Sequence, residues 1–196
     1  MGADDPRYDL DSEFALVEVP RRNRFSPLIV FRLDPGDAGR LLYFEPQRRL
    51  ALNLWRDKAF VLAAVDQDCR ALDFADRRLK RDREVVLATV KWDGFIALRH
   101  ADESLRSDSG VVLAAVKQNG IALAYADKIL RRDRDVVLAA IAQDSYALRW
   151  ADESLRGDRD VVLAAVTQDG CALQHADVSL QNDPVVVAAA AQAPRH

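Results

Sequence analysis

Apolar and polar residues recur in one order along most of this chain. An aspartate and two mainly polar residues precede a six-residue apolar run, typically Val-Val-Leu-Ala-Ala-Val. Three polar residues and a glycine follow, then Ala-Leu, a ring, Ala-Asp and a last leucine before a charged turn. Clear copies begin at Asp82, Asp108, Asp133 and Asp158, a looser one at Asp57 and a half copy at Asp183. The spacings between these leading aspartates are 25, 26, 25, 25 and 25, the extra residue being Phe95 or Ile96. A short fixed period predicts an array in which each unit buries its apolar face on its neighbours.

The unit from Asp133 predicts two helices. Asp133 stands where a side chain can accept from the free N–H groups of a first turn, and Asp135 adds negative charge favoured by the helix dipole. The six apolar residues imply a helix buried on more than one face, with Ala139 and Ala140 letting neighbours approach closely. This helix is expected to end near Asp144 and Ser145. Sister units hold Gly94, Gly120 and Gly170 there, which suggests a left-handed C-cap. A second helix would carry Ala147, Leu148, Ala151 and Leu155 on one stripe, with Arg156 at its C-terminus. A strand reading of the apolar run, as in a leucine-rich repeat, is countered by the Ala-Ala pair, by the upstream aspartate cap and by the missing leucine-asparagine core pattern. The fold class expected is mainly α: a right- or left-handed α-solenoid of about five 25-residue helix-turn-helix repeats, with a short N-terminal β-hairpin cap.

The ends differ from the middle. Residues 27–33 and 40–46 read as two strands around the turn Asp-Pro-Gly-Asp-Ala-Gly. A lone hairpin is marginal in water, so residues 14–19 or the first repeat would have to complete it. Residues 47–55 fit a degenerate entry helix. The organisation expected is an N-terminal segment, 1–46, and a helical repeat domain, 47–196, with repeats from 57, 82, 108, 133 and 158 and a half repeat from 183. Asp183 and Pro184 are a good N-cap and first-turn pair, and Pro194 stops the last helix. That helix, Val-Val-Val-Ala-Ala-Ala-Ala, lacks a polar outer face, which makes self-association through it one candidate role.

Composition narrows the classes. Hydrophobic residues make up 49% of 196, enough for a continuous core. With 28 basic against 31 acidic residues, the formal net charge of -3 gives no general attraction to nucleic acid or anionic membrane. No stretch approaches the roughly 20 apolar residues of a spanning helix, and the acidic first residues contain no apolar run. A cytoplasmic site is therefore expected, and export without an N-terminal signal is left open. Cys69 and Cys171, four repeats apart, are too distant to pair and read as small buried or half-buried thiols.

Candidate chemistry is sparse. Phe74, His100, Tyr125, Trp150 and His175 occupy one repeat position. They could fill space between second helices or form a ladder of flat binding surfaces. Basic turns gather Arg77, Arg78, Lys80, Arg81 and Arg83, and later Arg131, Arg132 and Arg134. Asp76, Asp102, Asp127, Asp152 and Asp177 are expected inside the second helices, bonded to arginines such as Arg106, Arg131 and Arg156. One acid per repeat cannot assemble a cation site, so no metal is expected. The three histidines and two cysteines hold unrelated repeat positions and suggest no nucleophile-base pair. No phosphate-loop or metalloprotease string occurs. The expectation is a non-catalytic scaffold for a protein partner, without cofactor. Nucleic-acid binding through the basic turns and ring column is the alternative, and an accessory domain of an enzyme a second one.

The unit of Asp, two residues, Val-Val-Leu-Ala-Ala-Val, three residues, Gly, one residue, Ala-Leu, two residues, Ala, three residues, Leu-Arg, one residue, Asp resembles the bacterial repeat family catalogued as domain of unknown function 4116. The likeness is closest over 82–181, weaker over 57–80 and absent before about Gln47. Cys69 and Ser145 depart from it by replacing the glycine. The resemblance implies tandem helical repeats, often joined to other domains and found in bacterial proteins that include secreted, host-directed ones. It implies no activity and no catalytic residue.

Overall fold

The computed structural model describes residues 14–18, 28–32 and 54–194, and the chain divides into two compact units, Met1–Ala75 and Asp76–His196. In the first, strands β1 (Phe14–Glu18) and β2 (Leu28–Arg32) pair antiparallel, with Leu16 opposite Val30. The strand expected over 40–46 and most of the entry helix over 47–55 lie outside the described residues. Helix α1 (Lys58–Gln67) starts at Asp57, whose carboxylate accepts from the Phe60 N–H at 2.8 Å. A 3-10 turn, Cys69–Phe74, follows. Trp55 packs edge-on to Phe60 at 5.1 Å and tilted against Phe74 at 5.5 Å, over the buried Val61, Ala64, Val65 and Leu72.

The second unit opens with a short 3-10 turn, Leu79–Arg81, and then runs through the repeats. The repeat from Asp82 holds α2 (Arg83–Val90), α3 (Gly94–His100) and α4 (Glu103–Arg106). The next holds α5 (Ser109–Gln118) and 3-10 turns Gly120–Tyr125 and Leu130–Arg132. The third holds α6 (Arg134–Gln143), the 3-10 turn Ser145–Trp150 and α7 (Glu153–Arg156). The fourth holds α8 (Arg159–Gln168), the 3-10 turn Gly170–His175 and α9 (Val178–Gln181), before α10 (Pro184–Gln192).

Each repeat therefore has three helical pieces, not the two expected. The supposed second helix breaks at the alanine after the ring: Ala151 takes φ -63° and ψ 154°, and Asp152 begins a new turn. Aspartates stabilise most of the breaks: one caps every α-helix, Asn119 caps the turn Gly120–Tyr125, and the turns Leu79–Arg81 and Leu130–Arg132 have no side-chain cap at their N-cap residues Arg78 and Ile129. In the third repeat Asp133 accepts from the Val136 N–H, Asp144 from the Tyr146 N–H and Asp152 from the Ser154 N–H. The acids after alanine are thus N-caps, not members of a continuous helix.

The glycines also do something other than expected. No residue with positive φ occurs among those described, and Asp144 leaves α6 extended, at φ -152°. Gly94, Gly120 and Gly170 are instead the first residues of the middle pieces, pressed against the next repeat. A Cβ on Gly94 would fall on the Ala115 carbonyl, one on Gly120 on that of Ala140, and one on Gly170 on that of Ala190. Glycine is used because two backbones meet.

The core is periodic. Val111, Val112, Ala115 and Val116 are all fully buried, as are Val161, Val162, Ala165 and Val166, and Leu98, Leu123 and Leu148 fill the layer beside them. Burying one such valine is worth about 1.5–3 kcal/mol. Helix α10 keeps Val186 and Ala190 buried but leaves Val187 41% exposed, although its counterpart Val112 is wholly covered. The difference arises because nothing among the described residues stacks beyond α10. The extra residue of the repeat from Asp82 is absorbed by winding: its middle piece is a seven-residue α-helix where sister repeats have six-residue 3-10 turns. The Ala101 N–H bonds four residues back to Ala97, whereas that of Ala126 bonds three back to Leu123. Gly94, Ala97 and Leu98 are buried just as Gly120, Ala122 and Leu123 are.

Candidate functional site

The closing turns of the repeats form one edge of the second unit, tied together through the backbone. The Asp102 N–H donates to the Lys80 carbonyl at 3.0 Å, and those of Asp127, Asp152 and Asp177 donate to the carbonyls of Arg106, Arg131 and Arg156 at 2.9 Å. The arginines expected to bind these aspartates do so, but through their main chain. Because each ring lies two residues before its aspartate, the bond sets His100 beside Lys80, Tyr125 beside Arg106, Trp150 beside Arg131 and His175 beside Arg156. The edge alternates rings with cations.

Rings on this edge are half-buried. Tyr125 meets Phe95 edge-on at 5.1 Å, and His175 meets Tyr146 edge-on at 4.8 Å. Each thus packs on the residue that follows the glycine position of the preceding repeat. The rings fill inter-repeat space, and Phe74 does the equivalent against Trp55 within the first unit. The exception is the cluster around Trp150. There the Arg149 guanidinium lies 5.3 Å from the Trp150 ring centre and 5.6 Å from that of Tyr146, and it donates to the Tyr146 hydroxyl. Trp150 Nε1 and His175 Nε2 are buried without a hydrogen-bond partner. Burial, with help from Arg149 and Arg156, holds the His175 pKa below its usual value. Low polarity, and then two nearby cations, favour the neutral imidazole over the charged one.

The basic turns alternate with acidic ones. Turns Leu79–Arg81 and Leu130–Arg132 are basic and 3-10, whereas α4 and α7 begin with Glu103 and Glu153 and carry a serine whose hydroxyl donates to the capping aspartate. Each basic turn reaches the next repeat: Arg81 pairs with Asp102 at 3.0 Å and Arg132 with Asp152 at 3.0 Å. Ser107 and Gly157 stand where such an arginine would at the other junctions. Arg77, Lys80, Arg81 and Arg106 line a groove of about 290 Å³ with His100, Asp102 and Glu103. Arg131 holds in its repeat the position of Arg106, so it lies on the same edge. Arg83 and Arg134 belong elsewhere, at the starts of the long helices. There Arg83 pairs with Asp108 at 3.4 Å, Arg134 with Asp158, and Arg159 with Asp183 at 3.2 Å. Ser109 interrupts that ladder. Arg78 is exposed and caps nothing through its side chain.

A family model described as Domain of unknown function (DUF4116) matches residues 57–106, 90–131, 108–156 and 133–181. The chain belongs to this family. No curated protein and no solved structure matches it. Three of the four matches begin at a leading aspartate, 57, 108 and 133, so the DUF4116 pattern covers the caps, glycines and apolar runs that hold the array together. Differences between DUF4116 repeats of this chain include the ring, the residue before it, the residue after the glycine, and the closing turn.

Those variable positions hold little that could react. Among the described residues no three His, Cys, Asp or Glu side chains gather to hold a metal, and no helix is long and apolar enough to cross a membrane. Cys69 is half-buried, as expected, but Cys171 is exposed, which corrects the expectation of a covered thiol there. Sequence reasoning missed Tyr146, Arg149 and Phe95. Their signal was present: they hold fixed repeat positions where size and polarity change from copy to copy. The same reasoning overlooked the caps Asp68, Asp93, Asn119, Asp144 and Asp169, a further aspartate column visible in the repeat.

Proposed function

We propose that this chain is a non-catalytic helical-repeat scaffold that binds a partner protein through the ring-bearing edge of its closing turns. The observation that carries the reading is the cluster of Tyr146, Arg149, Trp150 and His175. Tyr, Arg and Trp are the side-chain types that dominate interface hot spots, and here, with His175 packed on Tyr146, they are held in fixed mutual geometry at the surface. Half-buried rings lose little conformational freedom on binding, and an arginine lying over two rings offers its remaining N–H groups in a set direction. Capture of partners by the intact chain, compared with Trp150→Ala and Tyr125→Ala, tests this. Loss of a partner with Trp150→Ala at unchanged helix content is the expected result, and equal recovery by all three proteins overturns the ring-edge reading.

Nucleic-acid binding is the second reading, favoured by the placing of Arg77, Lys80, Arg81 and Arg106 around one groove. It requires open ring faces for stacking, and Arg149 lies over two of them. Binding to an oligonucleotide that weakens steeply with salt would favour it over the protein reading.

A further inference from the structure

We infer that the partner engages this edge with an extended acidic segment whose negative side chains fall in two groups, one at each basic turn. The inference rests on the protein-binding reading above and specifies the chemistry of the partner.

The first argument is charge. Around His100, Arg77, Lys80, Arg81 and Arg106 line one groove whose acidic lining residues are Asp102 and Glu103. Asp102 is already held by its own cap bonds and by Arg81. Arg77 reaches Asp102 only at 3.7 Å and is 80% exposed, so most of its hydrogen-bonding capacity points to solvent. Two units later the repeat register puts Lys128, Arg131, Arg132 and Arg156 at the corresponding positions, with Asp152 and Glu153 at those of Asp102 and Glu103. Arg132 grips Asp152 there just as Arg81 grips Asp102.

The second argument is periodicity. Basic turns occur at every other repeat because α4 and α7 carry Glu103 and Glu153 at their exposed starts. Neighbouring packed helices lie about 8–10 Å apart, which puts the two basic groups about 20 Å from each other. An extended peptide covers that span in roughly six residues. A phosphate backbone, charged at every nucleotide, would instead be carried past Glu103, on the closing turn between the two basic turns. An alternating edge suits a ligand whose charges are grouped, and a polypeptide can group them.

The test uses the full chain and two labelled synthetic peptides of equal composition. One has two glutamate pairs separated by six uncharged residues, and the other has all four glutamates together; a single-stranded oligonucleotide of equal charge is the third probe. Binding is read by fluorescence anisotropy at low and moderate salt. The spaced peptide is expected to bind at least about tenfold more tightly than the clustered one, because both groups engage together. Arg77→Ser combined with Lys128→Ser should remove that advantage, while Lys117→Ser, at the far end of α5, should leave it intact. Equal binding of both peptides, tighter binding of the oligonucleotide, or no effect of the double variant overturns the inference. If Trp150→Ala abolishes partner capture but the spaced peptide shows no preference, only the acidic-segment inference fails. If capture is also indifferent to Trp150, the protein-binding reading fails with it.

Discussion

Gly120 lies against the main chain of Ala140, twenty residues ahead and one repeat on: a Cβ placed on it would overlap the Ala140 carbonyl and come within 3.1 Å of the Asp144 Cβ. The consequence separates two explanations of a repeated glycine. A left-handed cap tolerates asparagine; a backbone contact tolerates no side chain without moving the neighbouring repeat.

Gly120→Ala and Gly120→Asn are both expected to destabilise the protein by about 1–3 kcal/mol, the range of overpacked contacts. Gly157→Ala should behave oppositely. At φ -93° an added Cβ there meets nothing closer than 3.6 Å, so alanine should stabilise by about 0.4–1 kcal/mol through the unfolded chain. Urea unfolding of the three variants measures both signs. Ser145, buried at the glycine position of its own repeat, indicates that a junction can adjust to a small side chain, which keeps the expected cost moderate.

Val112 and Val187 hold the same repeat position, yet one is fully buried and the other 41% exposed. Val112→Ala should cost about 2 kcal/mol, and Val187→Ala less than about 1 kcal/mol. Thermal unfolding with both variants checks the difference, and equal losses would mean that something covers α10 in solution.

Deleting Ile96 should leave a folded protein. The middle piece would then read Gly94, Phe95, Ala97, Leu98, the spacing that sister repeats wind as a 3-10 turn. Deleting Leu138 should be far more damaging, since it rotates Ala140 and Ile141 about 100° off the buried face of α6. Circular dichroism and the sharpness of unfolding distinguish the two.

Stability should decline with acid in two stages. Burial, and then Arg149 and Arg156, lower the His175 pKa. As pH falls below 6.5 the unfolded chain therefore takes up a proton that the folded one refuses, and stability drops until the folded pKa is reached. His175→Gln should abolish this stage. The caps respond lower down. The Ser104 and Ser154 N–H groups are the leading cause of the lowered pKa of Asp102 and Asp152, and the Val186 N–H is that for Asp183; the Ser179 hydroxyl leads for Asp177. Their contribution is complete above the ordinary value of 3.8 and is lost as pH falls through the lowered pKa values. Urea midpoints followed from neutral to acid pH would show both stages, and an unchanged midpoint between pH 7 and 5 would contradict the first.

Much of the fold was legible in the chain. The aspartate before each apolar run marked a helix start, and in the repeats from Asp108, Asp133 and Asp158 the two valines and the second alanine are buried as expected, whereas the first alanine is not: Ala139 is half-buried and Ala164 exposed. Less of the candidate edge was legible. Asp127 and Arg106 looked like an ion pair because both are charged and close in the repeat, but their link is main chain to main chain. Trp150 was noticed for its column. That Arg149 lies over it depends on side-chain directions along a 3-10 turn, which a helical wheel does not describe.

By itself the sequence determined the period, the helical class, the leading aspartate caps and most of the buried positions, because these follow from hydrogen bonding and hydrophobic spacing within a few residues. Tertiary structure decided what the glycines are for, where each repeat breaks into three pieces and which rings meet which cations. Those properties are set by distances between residues about 25 positions apart, and these arise only when one repeat settles against the next.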